Sequence, residues 1–220
     1  MTLINARTSP FDIKGERKYL DQQERQRFLR SAAKMREPIR LFCEVLAYTG
    51  CRLSEALNIR PSHIDQGHCA LIFETLKQRN AIRYRHIAVP RSLMRRLMHF
   101  LKDRLFSNSR VWQVHRQTAW RWVKLVMNDA GITGVSANSR GLRHGFAIAS
   151  IQRRVPLPLV QKWMGHARVT TTQIYTDIVG PQQRTYAKRT WLPYQYFEWH
   201  MPASVARLLK RRNSQSCLSA

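Results

Sequence analysis

Helical periodicity runs along most of this chain and breaks once, between Pro61 and Pro90. Before the break, "DQQERQRFLRSAAKM" puts Asp21 at a capping position, Glu24 three residues on where a capping box wants its acid, and Phe28, Leu29 and Ala32 on one face. "EPIRLFCEVLAYTG" follows, with Pro38 suited to a first turn, Gly50 to a stop, and Ile39, Phe42, Val45 and Leu46 as an apolar stripe. Inside the break, "CALIFE" and "YRHIAVP" are short β-prone segments on either side of "TLKQRNAIR". Helical period then resumes in "RSLMRRLMHFLKDRLF", through Leu105, and continues in "RQTAWRWVKLVMNDAG", "SRGLRHGFAIASIQRR", "LPLVQKWMG" and "TTTQIYTDI". The pattern predicts a mainly α fold with one small antiparallel β-sheet, of the α+β class.

Three stretches organise the 220 residues. Residues 1–18 are polar, basic and unpatterned, and read as an arm. Residues 19–180 carry the periodic segments and form the domain. Residues 181–220 are irregular and aromatic ("TWLPYQYFEWH"), then basic ("ARLLKRR"). Two readings of that tail stand: a segment folded back on the body, or a docking segment that bridges to a neighbouring subunit.

Charge narrows the partner. Lys and Arg total 38 against 13 acids, a net charge of +25. A compact body with that excess repels itself unless it sits against a polyanion. Nucleic acid fits, because phosphate neutralisation scales with the cations presented. A membrane surface fits poorly, since the basic residues are spread along the chain rather than gathered on one amphipathic helix. On charge alone, a protein that packs into RNA remains open. Cys43, Cys51, Cys69 and Cys217 form no C-x-x-C pair, so free thiols in a reducing compartment are expected. No signal-like or membrane-spanning apolar run is present, and a soluble cytoplasmic protein is expected.

Three short motifs carry chemistry. "TGCRLSEAL" places Arg52 after a helix stop with Glu55 three residues on. "SRGLRHGFA" holds Arg143 within Leu-Arg-His, with Arg140 three residues before it and His144 after it. "MGHARVTTTQIYTDI" supplies His166 and Tyr175. Each is weak alone, but their order and flanks across residues 19–180 resemble the catalytic domain of the tyrosine recombinases, the phage integrase family. That pattern runs T-G-x-R-x-x-E, a Lys in a β-turn, H-x-L-R-H, L-G-H and a terminal Tyr.

The resemblance implies a site-specific DNA recombinase that cleaves and rejoins strands through a 3′-phosphotyrosine intermediate. Tyr175 is then the nucleophile, and Arg52 and Arg143 stabilise the phosphate oxygens, a task that suits planar guanidinium forks. His166 carries over as a hydrogen-bond donor to the phosphate. Lys77 is the choice for the leaving-group acid, with Arg79 and Arg83 as nearby rivals. Glu55 orients the site, and His144 is a structural hydrogen-bonder. Thr170 or Thr172 is placed to touch DNA phosphate. Bond energy is conserved in such a step, so neither a metal nor a nucleotide cofactor is implied.

Double-stranded DNA with specific sites is the implied partner, bound by a homotetramer, with room for accessory DNA-bending proteins; a bacterial, nucleoid-associated setting follows. Two departures from the pattern matter. Arg140 stands where relatives usually have His, and is read as a functional replacement within the catalytic set. The N-terminal DNA-clamping domain of most relatives has no counterpart before residue 19, which is similar to the short fimbrial phase-variation recombinases. The alternative function is a non-catalytic DNA-binding regulator derived from a recombinase. The residues leave open the DNA site and the choice between inversion, excision and integration.

Overall fold

The computed structural model describes residues 10–75, 83–104, 108–166 and 172. Residues 10–18 form a turn closed by an antiparallel bridge between Phe11 and Arg17. Helix α1 (Gln22–Lys34) starts at Asp21, whose carboxylate accepts the Glu24 amide while the Glu24 carboxylate accepts the Asp21 amide, at 2.8 and 2.9 Å. Arg17 pairs with both acids and holds the box closed. The local rule read from the sequence is the one that operates.

Helix α2 (Glu37–Thr49) is the centre of the described core. It carries the predicted stripe and also buries Leu41, Cys43 and Ala47, because α1, α4 (Arg91–Phe100), α5 (Arg116–Asp129) and α6 (Ser139–Gln152) all pack around it. A helix enclosed this way has no solvent face to keep polar. Phe42 meets Trp112 and Trp122 edge-on, with ring centroids 5.2 and 5.8 Å apart, and the Trp112 indole donates to the Pro38 carbonyl. That hydrogen bond lets a buried tryptophan keep its polar edge satisfied.

Short helix α3 (Leu53–Leu57) follows α2, and the sheet comes next: β1 (Ile64–Asp65), β2 (Ala70–Thr75) and β3 (Arg83–Ala88), antiparallel in that order. The sequence predicts two of these strands; β1 is too short to register as a period. In β2, Leu71 and Phe73 point inward, and they face Ile87 and Arg85 of β3 across the ladder. Helix α3 packs on β2, and α7 (Leu157–Met164) packs on β3. A second apolar cluster of Phe146, Ile148, Val160 and Met164 joins α6 to α7.

One helix ends earlier than its periodicity indicates. The sequence carries α4 through Leu105, yet it stops at Phe100 and passes through buried Leu101 into a 3₁₀ turn over Lys102–Arg104. Beyond that turn the chain comes back across the molecule, where the Val111 amide bonds the Ile59 carbonyl and Trp112 enters the core beneath α2. Among the described residues, no helix is long and apolar enough to cross a membrane, and no cluster of His, Cys, Asp and Glu could hold a metal ion.

Candidate active site

Two left-handed glycines set the corners of the site. Gly50 (φ +61) ends α2, and a Cβ there would lie 2.4 Å from the Phe146 ring. Gly165 (φ +60) ends α7, and its Cβ would lie 2.9 Å from the Arg85 guanidinium. Both positions combine a backbone that L side chains resist with a lack of room. The first turns the chain so that Arg52 opens α3. The second releases His166 from the end of α7.

Glu55 is the hub. Its side chain is 1% exposed and accepts from Arg52 twice, through the backbone amide and through the guanidinium, both at 2.7 Å. Arg85 donates to the same carboxylate at 2.5 Å, and an Arg143 nitrogen stands 4.0 Å away. Burial alone would raise the Glu55 pKa, but the Arg85 and Arg52 contacts outweigh it and hold the carboxyl below its ordinary range. Three guanidiniums gather around one carboxylate, so the cluster keeps surplus positive charge. An anion is its natural complement.

Arg143 is anchored mainly by backbone rather than by Glu55. One terminal nitrogen donates to the Gly50 carbonyl at 2.7 Å and the other to the Met164 carbonyl, so it spans the ends of α2 and α7. Those carbonyls belong to the last turns of two helices and lack intrahelical partners, which makes them strong acceptors for a cation. Each terminal nitrogen carries a second N–H.

His166 completes the cluster. Its Nδ1 is 3.0 Å from the Thr172 hydroxyl, and its backbone is clasped by Gln161 at both amide and carbonyl. Burial, followed by the charges of Arg143, Arg52, His144 and Arg85, pushes its pKa down to about 3. The ring is therefore neutral at pH 7. Thr172 corrects one expectation: it is fully buried against His166 and is not placed to contact DNA phosphate. Thr170 lies outside the described residues, as do Lys77, Arg79 and Tyr175; of Arg83, only its place in β3 is described.

The structure brings Arg52, Glu55, Arg143 and His166 together, with His144 beside them. Half-buried His144 is pushed down to about 4 by burial and by Arg143, Arg140 and Lys18. Arg140 stands at the rim. It is exposed near the start of α6, where Asn138 caps the Arg140 and Gly141 amides, and it lines an open cleft of about 500 Å³ with Lys18, Trp120 and Lys124.

Arg85 is the residue that sequence reading missed. Its side chain is 4% exposed, and besides Glu55 it donates from Nε to the Trp163 carbonyl at 2.9 Å and lies over the Phe73 ring. A signal was present: Arg85 alternates with Ile87 and Val89 in "YRHIAVP", so strand periodicity puts a charge on the core face. Such a charge needs a buried partner.

A model of the phage integrase family matches residues 18–179. This chain belongs to that family. It is 35% identical over 149 residues to tyrosine recombinase XerD of Neisseria meningitidis serogroup A, covering 62% of this chain and 49% of that protein. With tyrosine recombinase XerA of Pyrococcus furiosus the identity is 28% over 183 residues, 78% of this chain and 61% of that protein. The chain thus spans about half to three-fifths of these relatives' length. A crystal structure of XerA recombinase superposes with a TM-score of 0.64 at 25% identity, covering 84% of this chain and 65% of that one. XerH site-specific recombinase in a post-cleavage complex with its palindromic difH substrate shares the fold, with a TM-score of 0.67 at 23% identity, covering 77% and 52%. The phage integrase family's catalytic-domain fold, mainly α with a three-stranded antiparallel sheet, is therefore this chain's fold.

Proposed function

We propose that this chain is a site-specific recombinase that breaks and rejoins double-stranded DNA. The observation that carries the reading is the convergence of Arg52 and Arg143, from two separate segments, on the buried Glu55 carboxylate, with His166 of a third segment close enough to feel both their charges. That cluster has the sign, the donors and the preorganisation to hold a phosphodiester as charge builds on its non-bridging oxygens. Tyr175 follows Thr172, whose hydroxyl meets His166, by three residues in the sequence, which supports its assignment as the nucleophile.

In the proposed step the Tyr175 phenolate attacks phosphorus, a P–O bond to tyrosine forms and the P–O5′ bond breaks. Lys77 gives its proton to the departing 5′ oxygen. The liberated 5′-hydroxyl, or one from a partner strand, reverses the step, so no metal or nucleotide is consumed. Arg52 and Arg143 hold the non-bridging oxygens. If the Thr172 hydroxyl donates to Nδ1, a neutral His166 carries its proton on Nε2 and serves as a hydrogen-bond donor without being an imidazolium. Arg140 is proposed as a third guanidinium at the edge of this set, replacing the histidine usual in relatives.

The relatives named above are recombinases, and one is solved with its DNA substrate, which supports DNA as the partner. The assembly is proposed as four protomers on two sites inside the cell, residues 181–220 bridging between neighbours and accessory DNA-bending proteins completing the complex. The test uses a nicked suicide duplex carrying a site recovered by binding selection from a random-sequence pool. Wild-type protein should form a protease-sensitive DNA adduct, in EDTA and without ATP, and Tyr175→Phe should form none. An adduct that persists in Tyr175→Phe sinks the assignment.

A further inference from the structure

Arg85 lies on no path of the chemistry just described, yet it touches both halves of the site. Through Glu55 it meets the carboxylate that holds Arg52. Through Nε it holds the Trp163 carbonyl, three residues before His166, and its guanidinium packs against the one position where Gly165 leaves no room for a Cβ. Phe73 supports the opposite face of the fork. The residue is also part of β3, the strand that pairs with β2, and Lys77 lies between those two strands in the sequence.

We propose that Arg85 is a positioning residue: one buried guanidinium sets Glu55, and through it Arg52, against the end of α7 that presents His166. The proposal rests on the recombinase reading only for its catalytic consequence. A fork is required, because the two acceptors lie in different directions and a single ammonium cannot meet both in plane. If Arg85 is replaced, Arg143 is left as the remaining guanidinium link between the segments of Arg52 and His166, and misplacement of about 1 Å costs on the order of a hundredfold in rate.

The test has two arms on the full-length chain, with Arg85→Lys and Arg85→Met, each checked by thermal melting. The first arm needs no DNA. Imidazole nitrogen resonances of His166 should move in both variants relative to the wild type. The second arm measures single-turnover cleavage and DNA affinity across pH on the suicide duplex. Cleavage should fall about tenfold in Arg85→Lys and about a hundredfold in Arg85→Met. DNA affinity should be retained, since the side chain is buried. In Arg85→Met the acid limb of the cleavage profile should also shift to higher pH, because Glu55 loses the cation that holds its pKa down.

Unchanged His166 resonances in folded variants overturn the proposal. So does a loss of cleavage matched by an equal loss of DNA affinity with an unshifted pH profile, which would mark general structural damage. A wild-type protein that forms no adduct, while its His166 resonances still respond to Arg85, refutes the recombinase reading and leaves the clamp standing.

Discussion

Arg143 and Arg140 lie three residues apart on one helix, and they are opposite kinds of cation. Arg143 is buried, bonded to two carbonyls at the ends of α2 and α7, and close to Glu55. Arg140 is exposed and lines an open cleft among other cations, with no acid among the described lining residues. The buried arginine is fixed before any ligand arrives, so it can act at full strength on a developing charge without reorganisation. The exposed one faces solvent, where its charge is screened, so its contribution depends on the ligand that comes to it. Helix geometry places both on neighbouring faces; the packing of other elements separates their roles.

The strongest way to break this comparison is to remove each cation in turn. Arg143→Ala should lose about 10²–10³ in cleavage rate, the scale for removing a preorganised donor, and should also melt earlier, because the Gly50 and Met164 carbonyls lose their partner. Arg140→Ala should lose cleavage by a smaller factor and leave the melting temperature unchanged, with Arg140→Lys or Arg140→His retaining more. Single-turnover rates at saturating protein, with melting curves, check both. If Arg140→Ala cleaves normally once bound, Arg140 belongs outside the catalytic set. If it melts like Arg143→Ala, the contrast drawn above fails.

Next in size is the hub itself. Removing one member of a buried ion pair costs about 3–5 kcal/mol, because the partner's charge is left uncompensated. Glu55→Gln should therefore destabilise the fold by about that amount in chemical denaturation. A surface pair such as Arg17 with Asp21 should cost about 0–1 kcal/mol on Asp21→Asn, apart from its role in the α1 cap. Equal effects at the two positions would show that burial is not what distinguishes them.

The last contrast is in pH dependence. His166 and His144 are pushed down to about 3 and about 4 in the folded protein, whereas unfolded histidine titrates near its ordinary value of ~6.5. Below that value the unfolded chain takes up protons that the folded chain refuses, so stability falls as pH drops from about 6.5 toward 4. Denaturation midpoints at pH 7 and pH 5 should differ in that direction, and His166→Gln should reduce the difference. An unchanged slope in His166→Gln would mean that the ring is not held neutral by its surroundings.

Much of the site was legible because its corners obey local rules. As caps and stops, Asp21 with Glu24, Pro38, Gly50 and Gly165 act through backbone within four or five residues, and such signals survive in the sequence alone; the crowding of Gly50 by Phe146 and of Gly165 by Arg85 does not. Arg52, Glu55, Arg143 and His166 were legible by motif. Thr172 was not: a threonine before a nucleophile segment could equally face a phosphate or a histidine. Only the fold shows that it is buried against His166.

The sequence carries the alternation of helical and β periods, the positions of the stops and caps, and a net charge of +25. These depend on backbone geometry and on sums over residues. The tertiary structure alone decided the end of α4 at Phe100, where a 3₁₀ turn takes over, and the addition of β1 to the sheet. It also decided the clamp at Arg85. That guanidinium finds Glu55 thirty residues earlier and Trp163 seventy-eight residues later, and a buried charge is tolerated only where such distant partners converge. Periodicity can say that Arg85 faces inward. Which acceptors it meets there is a property of the assembled core.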